Sequence, residues 1–480
     1  MPIARLICLA LFAAAAANVP QATLAGYLGG AGTDDCDGVT LDRAGDIYLA
    51  CHSDSPDFPR LPAKPPSQSR DMDAVVIKIE ARTGRVVWAT RTGGSSWDAV
   101  GDLAVAKDGS VYVLGQTRSA DFPTTADAVQ RQFGGPGRDV VLLRLDRNGK
   151  IVYSTFLGGS NNDEATGFAV ADDGTVYVGG VTWSQDFPGT RMAQYGPGGQ
   201  QDAFIAQLRP GDPKSLRTVL LGGASVDSIT GLALDRSGNL FAGGYTSSTD
   251  FPVKNGLQSH LGGGIDAFLV KLRISDWSLQ FSTYFGGSKM DGAYAVAVDS
   301  EGNPLISGVT TSADLPTTAA AFQRHRRGSV DAFVAKLDRD GKRILWSTYY
   351  GGSKENSYQS TAGALALDEA GRVWLAGATS STDLPLRNPF QASYAGGDFD
   401  GFLAAFSPDG SKLCYGSYFG GNGQDMLEGL AVGRRKIYAS GISSSTNIQQ
   451  RRWQVQPAFG GGPYDAVLLG LDVPADLSCR

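Results

Sequence analysis

The strongest constraint on this chain is a phrase that recurs along nearly its whole length. The stretch from Tyr27 reads YLGGAGTDDCDGVTLD, and similar stretches begin at Phe156, Tyr284 and Tyr418. The first glycine of each Gly-Gly pair stands at positions 29, 93, 158, 222, 286, 351 and 420, so the spacings are 64, 65, 64, 64, 65 and 69 residues. Such a period indicates seven copies of one structural unit.

Each copy contains four short runs with the character of β-strands. In the third copy they read GFAVA, VYVGGVT, AFIAQL and VLL, at 167–171, 176–182, 203–208 and 219–221. Their β-branched and aromatic residues favour strands, and turn signals such as Asp-x-x-Gly and Asn-Gly separate them. No segment has a sustained helical period. The sequence therefore predicts an all-β protein, a seven-bladed β-propeller with four antiparallel strands per blade.

The two ends of the chain indicate how the ring closes. The last copy stops after its third strand at 466–471, whereas residues 22–30 resemble the fourth strand at 413–421. An N-terminal strand that completes the last blade would remove an unpaired sheet edge. We expect a single closed propeller over residues 23–471 with a tail at 472–480; an open solenoid is the alternative.

The copies also resemble a known family, the bacterial β-propeller repeat called SBBP. The residues that carry the resemblance are the Gly-Gly-x-x-x-Asp phrase, GLALD from Gly231, SSTDFP from Ser247, DAFLVKL from Asp266 and FSTYFGG from Phe281. The resemblance implies an exported seven-bladed propeller. It implies no reaction, because the family offers no catalytic motif that matches residues of this chain.

The N-terminus and the overall charge bear on location and partners. Residues 1–22 have one early arginine, an apolar run and small residues beyond, as in a secretory signal cleaved between about residues 17 and 22. An N-terminal membrane anchor is the alternative. No later segment is apolar enough to span a bilayer. We expect a secreted, periplasmic or cell-surface monomer, and the net charge of −6 disfavours nucleic acid as a partner.

Four cysteines follow the signal segment, an even number that permits two disulfides in an exported chain. Strand positions place Cys36 near Cys51 and Cys414 near Cys479, so this is the consistent pairing. The cysteines have no metal-ligand spacing and the chain has 3 histidines, so a zinc site is not expected. His52, His260 and His325 are assigned to loops of three different copies.

Aspartate recurs at three positions of the copy. Only 6 of the 48 acidic residues are glutamates, and aspartate is the acid that bonds backbone N–H groups in turns. The first set stands five residues after the first glycine: Asp34, Asp98, Asp163, Asp227, Asp291 and Asp425. The second precedes an apolar-Pro pair in six copies: Asp57, Asp121, Asp186, Asp250, Asp314 and Asp383, with Asn447 in the seventh. The third begins every third strand: Asp73, Asp139, Asp202, Asp266, Asp331, Asp400 and Asp465.

Strand alternation places all three sets on one face of the disc, which we expect to be acidic. Structural roles explain the second and third sets, because every blade needs the same turns. The first set borders the mouth of the central channel. It either caps the Gly-rich turns or forms a ring that binds a ligand or a cation such as Ca²⁺, the one cofactor considered.

The sixth copy breaks the symmetry. Four extra residues lie in KENSYQSTAG, between Lys354 and Gly363, where the chain enters the innermost strand. Glu355, Asn356 and Tyr358 would add polar and aromatic groups to the channel mouth. A neutral insertion in a surface loop is the alternative.

Three functions are consistent with these features. The first is an exported, non-catalytic interaction or scaffold module that presents an acidic loop face to a protein, a glycan or a cation. The second is a channel-mouth hydrolase or lyase that uses carboxylates, alone or with a metal. That reading rests on analogy with other propellers, and two off-pattern carboxylates a few ångströms apart would support it. The third is a passive structural element of the cell envelope.

Overall fold

The computed structural model describes residues 19–62, 71–199, 201–355, 364–452 and 455–479. Within these ranges all regular structure is β: 29 strands form seven sheets. The same ranges contain no helix long and apolar enough to cross a membrane. The predicted all-β seven-bladed propeller is confirmed.

The strands are numbered in chain order, and each sheet is one blade. Blade one consists of β2 (Asp34–Leu41), β3 (Ile47–Ser53), β4 (Asp73–Glu80) and β5 (Arg85–Thr92). Blade two consists of β6 (Asp98–Val105), β7 (Val111–Thr117), β8 (Asp139–Leu145) and β9 (Ile151–Leu157). Blade three consists of β10 (Asp163–Val170), β11 (Val176–Thr182), β12 (Thr190–Tyr195), β13 (Asp202–Leu208) and β14 (Arg217–Leu221).

The remaining blades follow the same order. Blade four consists of β15 (Asp227–Leu234), β16 (Asn239–Thr246), β17 (Asp266–Arg273) and β18 (Ser278–Phe285). Blade five consists of β19 (Asp291–Val298), β20 (Pro304–Thr310), β21 (Asp331–Leu337) and β22 (Ile344–Tyr350). Blade six consists of β23 (Ala364–Leu367), β24 (Val373–Thr379), β25 (Asp400–Phe406) and β26 (Leu413–Phe419). Blade seven consists of β27 (Asp425–Gly433), β28 (Lys436–Ser443), β29 (Asp465–Asp472) and β1 (Gln21–Leu28).

Ring closure by the N-terminal strand is also confirmed. Strand β1 pairs antiparallel with β29, with Tyr27 opposite Val467. The Tyr27 hydroxyl donates to the Ser445 carbonyl at 2.6 Å and accepts the Ile448 N–H at 3.0 Å. Tyr284 makes the same two kinds of bond inside blade four, to the Ser248 carbonyl and from the Phe251 N–H. The two ends of the chain therefore form a blade with the contacts of an uninterrupted one.

The hydrophobic core lies between neighbouring blades. One cluster, for example, joins Ile205 and Val219 of blade three to Leu240 and Phe268 of blade four. Each sheet is buried on both faces by its neighbours, which is why the strands read as nearly continuous apolar runs. The first strand of each blade lies at the centre of the ring, so the first strands line the channel together with parts of the second strands.

The predicted turns and disulfides are present. The Gly45 N–H donates to the Asp42 carbonyl at 2.9 Å, and Gly45 has a φ of 87°, which glycine adopts without strain. Cys36 and Cys51 join β2 to β3, and Cys414 and Cys479 join β26 to the C-terminal tail. Strand β12 was not predicted. It adds a fifth, exposed strand parallel to β14 at the outer edge of blade three.

Two predictions lie outside the described residues. The proposed signal segment falls largely on residues 1–18, and Asn356 and Tyr358 of the sixth copy fall on 356–363.

Candidate functional site at the central channel

The first set of aspartates lies at the start of the innermost strands, where each carboxylate accepts several hydrogen bonds. Asp163 is fully buried. One of its oxygens accepts from the Thr182 hydroxyl, and the other accepts from the Gly159 N–H at 2.6 Å and the Ser184 hydroxyl at 2.9 Å. The other members make the corresponding backbone contact: Asp34 with Gly30, Asp98 with Gly94, Asp227 with Gly223, Asp291 with Gly287 and Asp425 with Gly421. These contacts are those of the capping alternative. Cation binding by this set stays a prediction.

The second and third sets have the structural roles predicted for them. Asp186 of the second set is exposed, and its Oδ1 accepts the Ser160 N–H at 2.9 Å. Asn447 makes the same bond with its side-chain carbonyl, to the Asn422 N–H at 2.8 Å. Asp139 of the third set accepts the Gly134 N–H of the preceding loop at 2.8 Å.

The three sets explain the Gly-Gly pair, because they converge on it. A Cβ on Gly158 would lie 2.4 Å from Asp139 Oδ1 and 3.0 Å from Asp163 Oδ2. A Cβ on Gly159 would lie 2.6 Å from Asp186 Oδ1. The linker into each innermost strand thus passes between carboxylates from two blades, and only glycine leaves room for them.

Burial shifts the acidity of these linker aspartates. Burial raises the pKa of Asp139 to about 7, and the charge of Asp163 adds to the effect. Burial likewise raises the pKa of Asp400 to about 7, with a contribution from Asp425. The exposed caps behave in the opposite way: the hydrogen bonds from Ser160 lower the pKa of Asp186. The second set is thus exposed, whereas the first and third sets are largely buried.

A cavity of about 560 Å³ occupies the central channel, lined mainly by first and second strands of the blades. Four partly buried aromatic side chains from four consecutive blades contribute to its wall: Trp97, Trp183, Tyr245 and Tyr294. Arg138 lies over the Trp97 ring, 5.0 Å from its centroid, and its guanidinium is 3.3 Å from Glu164 Oε1. The channel is thus both aromatic and charged. Glu355 is not among its lining residues in the described ranges; its backbone carbonyl accepts the Ser380 N–H at 2.9 Å.

One side of the channel wall carries a cluster of ionisable groups that the repeat does not require. Asp35 and Asp37 belong to β2, and His52 of β3 lies directly opposite Asp35 in the ladder. Strand β2 has a register irregularity between Asp35 and Gly38, and β27 has one between Leu427 and Gly429, where Glu428 stands. Such bulges re-aim side chains. Glu428 of blade seven lies beside the blade-one residues and hydrogen-bonds Asp35 and Asp37.

The distances within this cluster are short. His52 Nε2 lies 3.6 Å from Asp35 Oδ2, and His52 Nδ1 lies 3.7 Å from Asp37 Oδ2. One atom from each of these three residues can be chosen so that all lie within 4.8 Å of one another. We call Asp35, Asp37, His52 and Glu428 the channel cluster. It has the composition of a metal site or of an acid–base site.

The electrostatics of the channel cluster follow from its enclosure. Burial raises the pKa of Asp35 well above its ordinary value, and the charges of Asp37 and Glu428 add to this. Burial raises the pKa of Asp37 to about 6 and lowers the pKa of His52. Burial also raises the pKa of Asp102, elsewhere in the channel, to about 7. Burial thus disfavours the charged forms of both the imidazole and the carboxyl groups.

The sequence reasoning missed this cluster, and one expectation needs correction. His52 was assigned to a loop, but it lies in β3 beside the channel, because β3 extends to Ser53. A zinc site was not expected, yet the fold brings a histidine and two aspartates within ligand spacing. The available signal was Asp35, Asp37 and Glu428 themselves, acids that stand outside the three recurring sets.

Comparisons with known proteins agree with the architecture. Residues 217–252 match the model of the SBBP family, described as a beta-propeller repeat. Regulatory protein FlaEY of Caulobacter vibrioides is 23% identical over 473 residues, an alignment that covers 81% of this chain and 47% of that protein. The chain thus spans about half the length of that relative.

Two solved structures align over most of this chain with low sequence identity and TM-scores below 0.5. A protein of unknown function from Dyadobacter fermentans is 12% identical with a TM-score of 0.42, covering 95% of this chain and 99% of that one. BamB from Moraxella catarrhalis is 12% identical with a TM-score of 0.37, covering 91% and 85%. The chain is thus a seven-bladed β-propeller in which residues 217–252 match the SBBP beta-propeller repeat.

Proposed function

We propose that this chain is an exported, non-catalytic interaction module that binds a glycan at the mouth of its central channel. The observation that carries the proposal is the convergence of Trp97, Trp183, Tyr245 and Tyr294 on one cavity. Aromatic faces pack against the C–H faces of sugar rings, while charged groups at the rim hydrogen-bond their hydroxyls. Arg138 and Glu164 supply such groups.

Two further features fit a module that works outside the cytoplasm. Disulfides persist in oxidising compartments, and two cystines hold the first blade and the C-terminal tail. The exposed aspartates of the second set give the loop face its acidic character and would steer the choice of partner. The name of the Caulobacter relative, a regulatory protein, is compatible with a role that needs no catalysis.

The test is a binding measurement on the full chain with soluble oligomers of neutral hexoses, N-acetylhexosamines and uronates. Two of the 7 tryptophans line the cavity, so a bound oligomer should change the intrinsic fluorescence saturably. We expect Trp97→Phe to weaken binding at least tenfold. Trp277→Phe is the matched control, since Trp277 packs in the core between blades three and four. If no oligomer produces a saturable change, glycan binding is rejected.

A channel-mouth hydrolase or lyase is the second candidate, and the channel cluster is the observation that favours it. Asp35, Asp37 and Glu428 are off-pattern carboxylates in hydrogen-bond contact. A carboxyl whose pKa is raised toward neutrality can act as a general acid. Chromatography of the same oligomers after incubation separates the candidates. Shorter products that disappear with Asp37→Asn would favour the enzyme over the binding module.

A further inference from the structure

We propose that Asp35, Asp37 and His52, with Glu428 beside them, bind one divalent transition-metal ion of the Zn²⁺ or Mn²⁺ class in the channel wall. This site is distinct from the ring of capping aspartates considered above for Ca²⁺. It also does not depend on glycan binding, because it uses other residues of the channel.

The spacing of the donor atoms suits a shared ion. The imidazole nitrogens lie 3.6 Å and 3.7 Å from the two aspartate oxygens, too far for hydrogen bonds. Two ligand atoms bound at about 2.1 Å to one tetrahedral ion lie about 3.4 Å apart. The two distances start from different ring nitrogens, and one ion can bind only one of them. One ligand atom of each residue can nevertheless be chosen so that all three lie within 4.8 Å of one another, so side-chain rotations would bring one nitrogen and two oxygens onto the same ion.

Asp35 and His52 each have one buried atom without a hydrogen-bond partner in the part of the chain that the structure describes. These atoms are Asp35 Oδ1 and His52 Nδ1. Within the same ranges neither Asp35 nor Asp37 forms an ion pair with a lysine or an arginine. Partly buried acids without a positive partner are costly. A divalent cation would offset the carboxylate charge and satisfy both atoms.

The donor set selects the class of ion. Ca²⁺ and Mg²⁺ prefer sites built from oxygen alone, whereas imidazole nitrogen favours transition metals. One imidazole with two or three carboxylates matches Zn²⁺ or Mn²⁺ better than either alkaline-earth ion. Thiolates, which would favour softer ions, are absent from the described cluster because Cys36 and Cys51 form a disulfide.

The proposed metal ligands are specific to this part of the ring, because the corresponding positions of the other described blades have different residues. The pair formed by Asp35 and His52 has a counterpart in five other blades. These pairs are Ala99 with Gln116, Glu164 with Val181, Ser228 with Tyr245, Gly292 with Val309, and Met426 with Ile442. No other described blade combines acid and histidine there. The Cys36–Cys51 disulfide links the two strands between the ligands, which would keep the hairpin in place before the metal binds.

The experiment uses the full chain, treated with EDTA and dialysed. ZnCl₂ and MnCl₂ are titrated by calorimetry, and bound metal is counted by plasma mass spectrometry after desalting. We expect one equivalent per chain for at least one of the two ions and a higher melting temperature in its presence. His52→Gln and Asp37→Asn should each raise the Kd at least tenfold. Glu164→Gln is the matched control, because it removes a carboxylate from the same channel outside the cluster.

Circular dichroism of each variant without metal shows whether it folds. If either variant fails to fold, Co²⁺ added to the unmodified chain gives an independent readout, since imidazole ligation changes its visible absorption. Failure of Zn²⁺, Mn²⁺ and Co²⁺ to bind overturns the proposal. Binding that folded His52→Gln and Asp37→Asn leave unchanged also overturns it. Ca²⁺ binding that Asp163→Asn abolishes and His52→Gln does not would place the cation in the capping ring instead.

Discussion

Asp163 and its counterparts illustrate how one residue type can hold a repeat together. Each is buried, yet three donors surround it: one backbone N–H and two hydroxyls. A carboxylate that accepts several such bonds tolerates burial because they replace its lost hydration. Asp186, by contrast, bonds mainly the Ser160 N–H and hydroxyl and keeps its other oxygen in water.

This difference predicts unequal effects of the same substitution. Asp163→Asn replaces one acceptor by an NH₂ group that faces donors, so we expect the free energy of unfolding to fall by about 2–4 kcal/mol. Asp186→Asn should cost less than about 1 kcal/mol, since Asn447 already makes this contact in blade seven. Urea denaturation measures both. Equal losses would show that burial of the first set does not determine its contribution.

At the scale of elements, the linker between an outer strand and the next innermost strand contains the Gly-Gly phrase that recurs in every copy of the sequence. It brings paired carboxylates together, as with Asp139 and Asp163, or Asp400 and Asp425. Periodicity and turn residues were enough to predict these linkers and every strand except β12. The mutual burial of the pairs could not be predicted, because it depends on how closely one blade packs on the next.

The paired carboxylates predict that the protein is more stable in mild acid than at neutral pH. The pKa of Asp139 and Asp400 is about 7 in the folded chain, against roughly 3.9 when unfolded. Between these values the folded state binds more protons, so stability falls as pH rises from about 4 to 7. Below about 4 the exposed caps, whose pKa is lowered, lose their own contribution.

Melting temperatures from pH 4 to 8 test this dependence. We expect a higher value at about pH 5 than at pH 7.5, and a smaller difference in Asp139→Asn, which removes one titrating group. Asp186→Asn should leave the difference between pH 5 and 7.5 unchanged, since the exposed cap does not titrate there. A melting temperature that is constant or rises over that interval would contradict the interpretation.

At the scale of the whole molecule, the ring is closed by residues from opposite ends of the chain. Strand β1 completes blade seven, and the Tyr27 hydroxyl bonds Ser445 and Ile448 across the closure. Closure of this kind ties the stability of every blade to the last one, since an open ring would expose two sheet faces.

A pair of tyrosine variants tests the closure in solution. Tyr27→Phe and Tyr284→Phe each remove one buried hydroxyl that bonds a serine carbonyl and a backbone N–H. We expect each to lower the free energy of unfolding by about 1–3 kcal/mol, because the two backbone groups lose their partner. Urea denaturation again measures the change. If Tyr284→Phe destabilises the protein and Tyr27→Phe does not, β1 does not occupy blade seven in solution.

The sequence by itself determined the number of blades, the order of four strands in each, the closure, the turns and the cystine pairs. Each of these depends on local rules repeated along the chain: a fixed period, the conformations that glycine permits, and the short reach of aspartate. The tertiary structure alone decided the channel cluster. Asp37 and Glu428 are separated by most of the chain, and they meet because the closed ring places β2 beside β27. Contacts of that kind depend on packing in three dimensions, which no local pattern records.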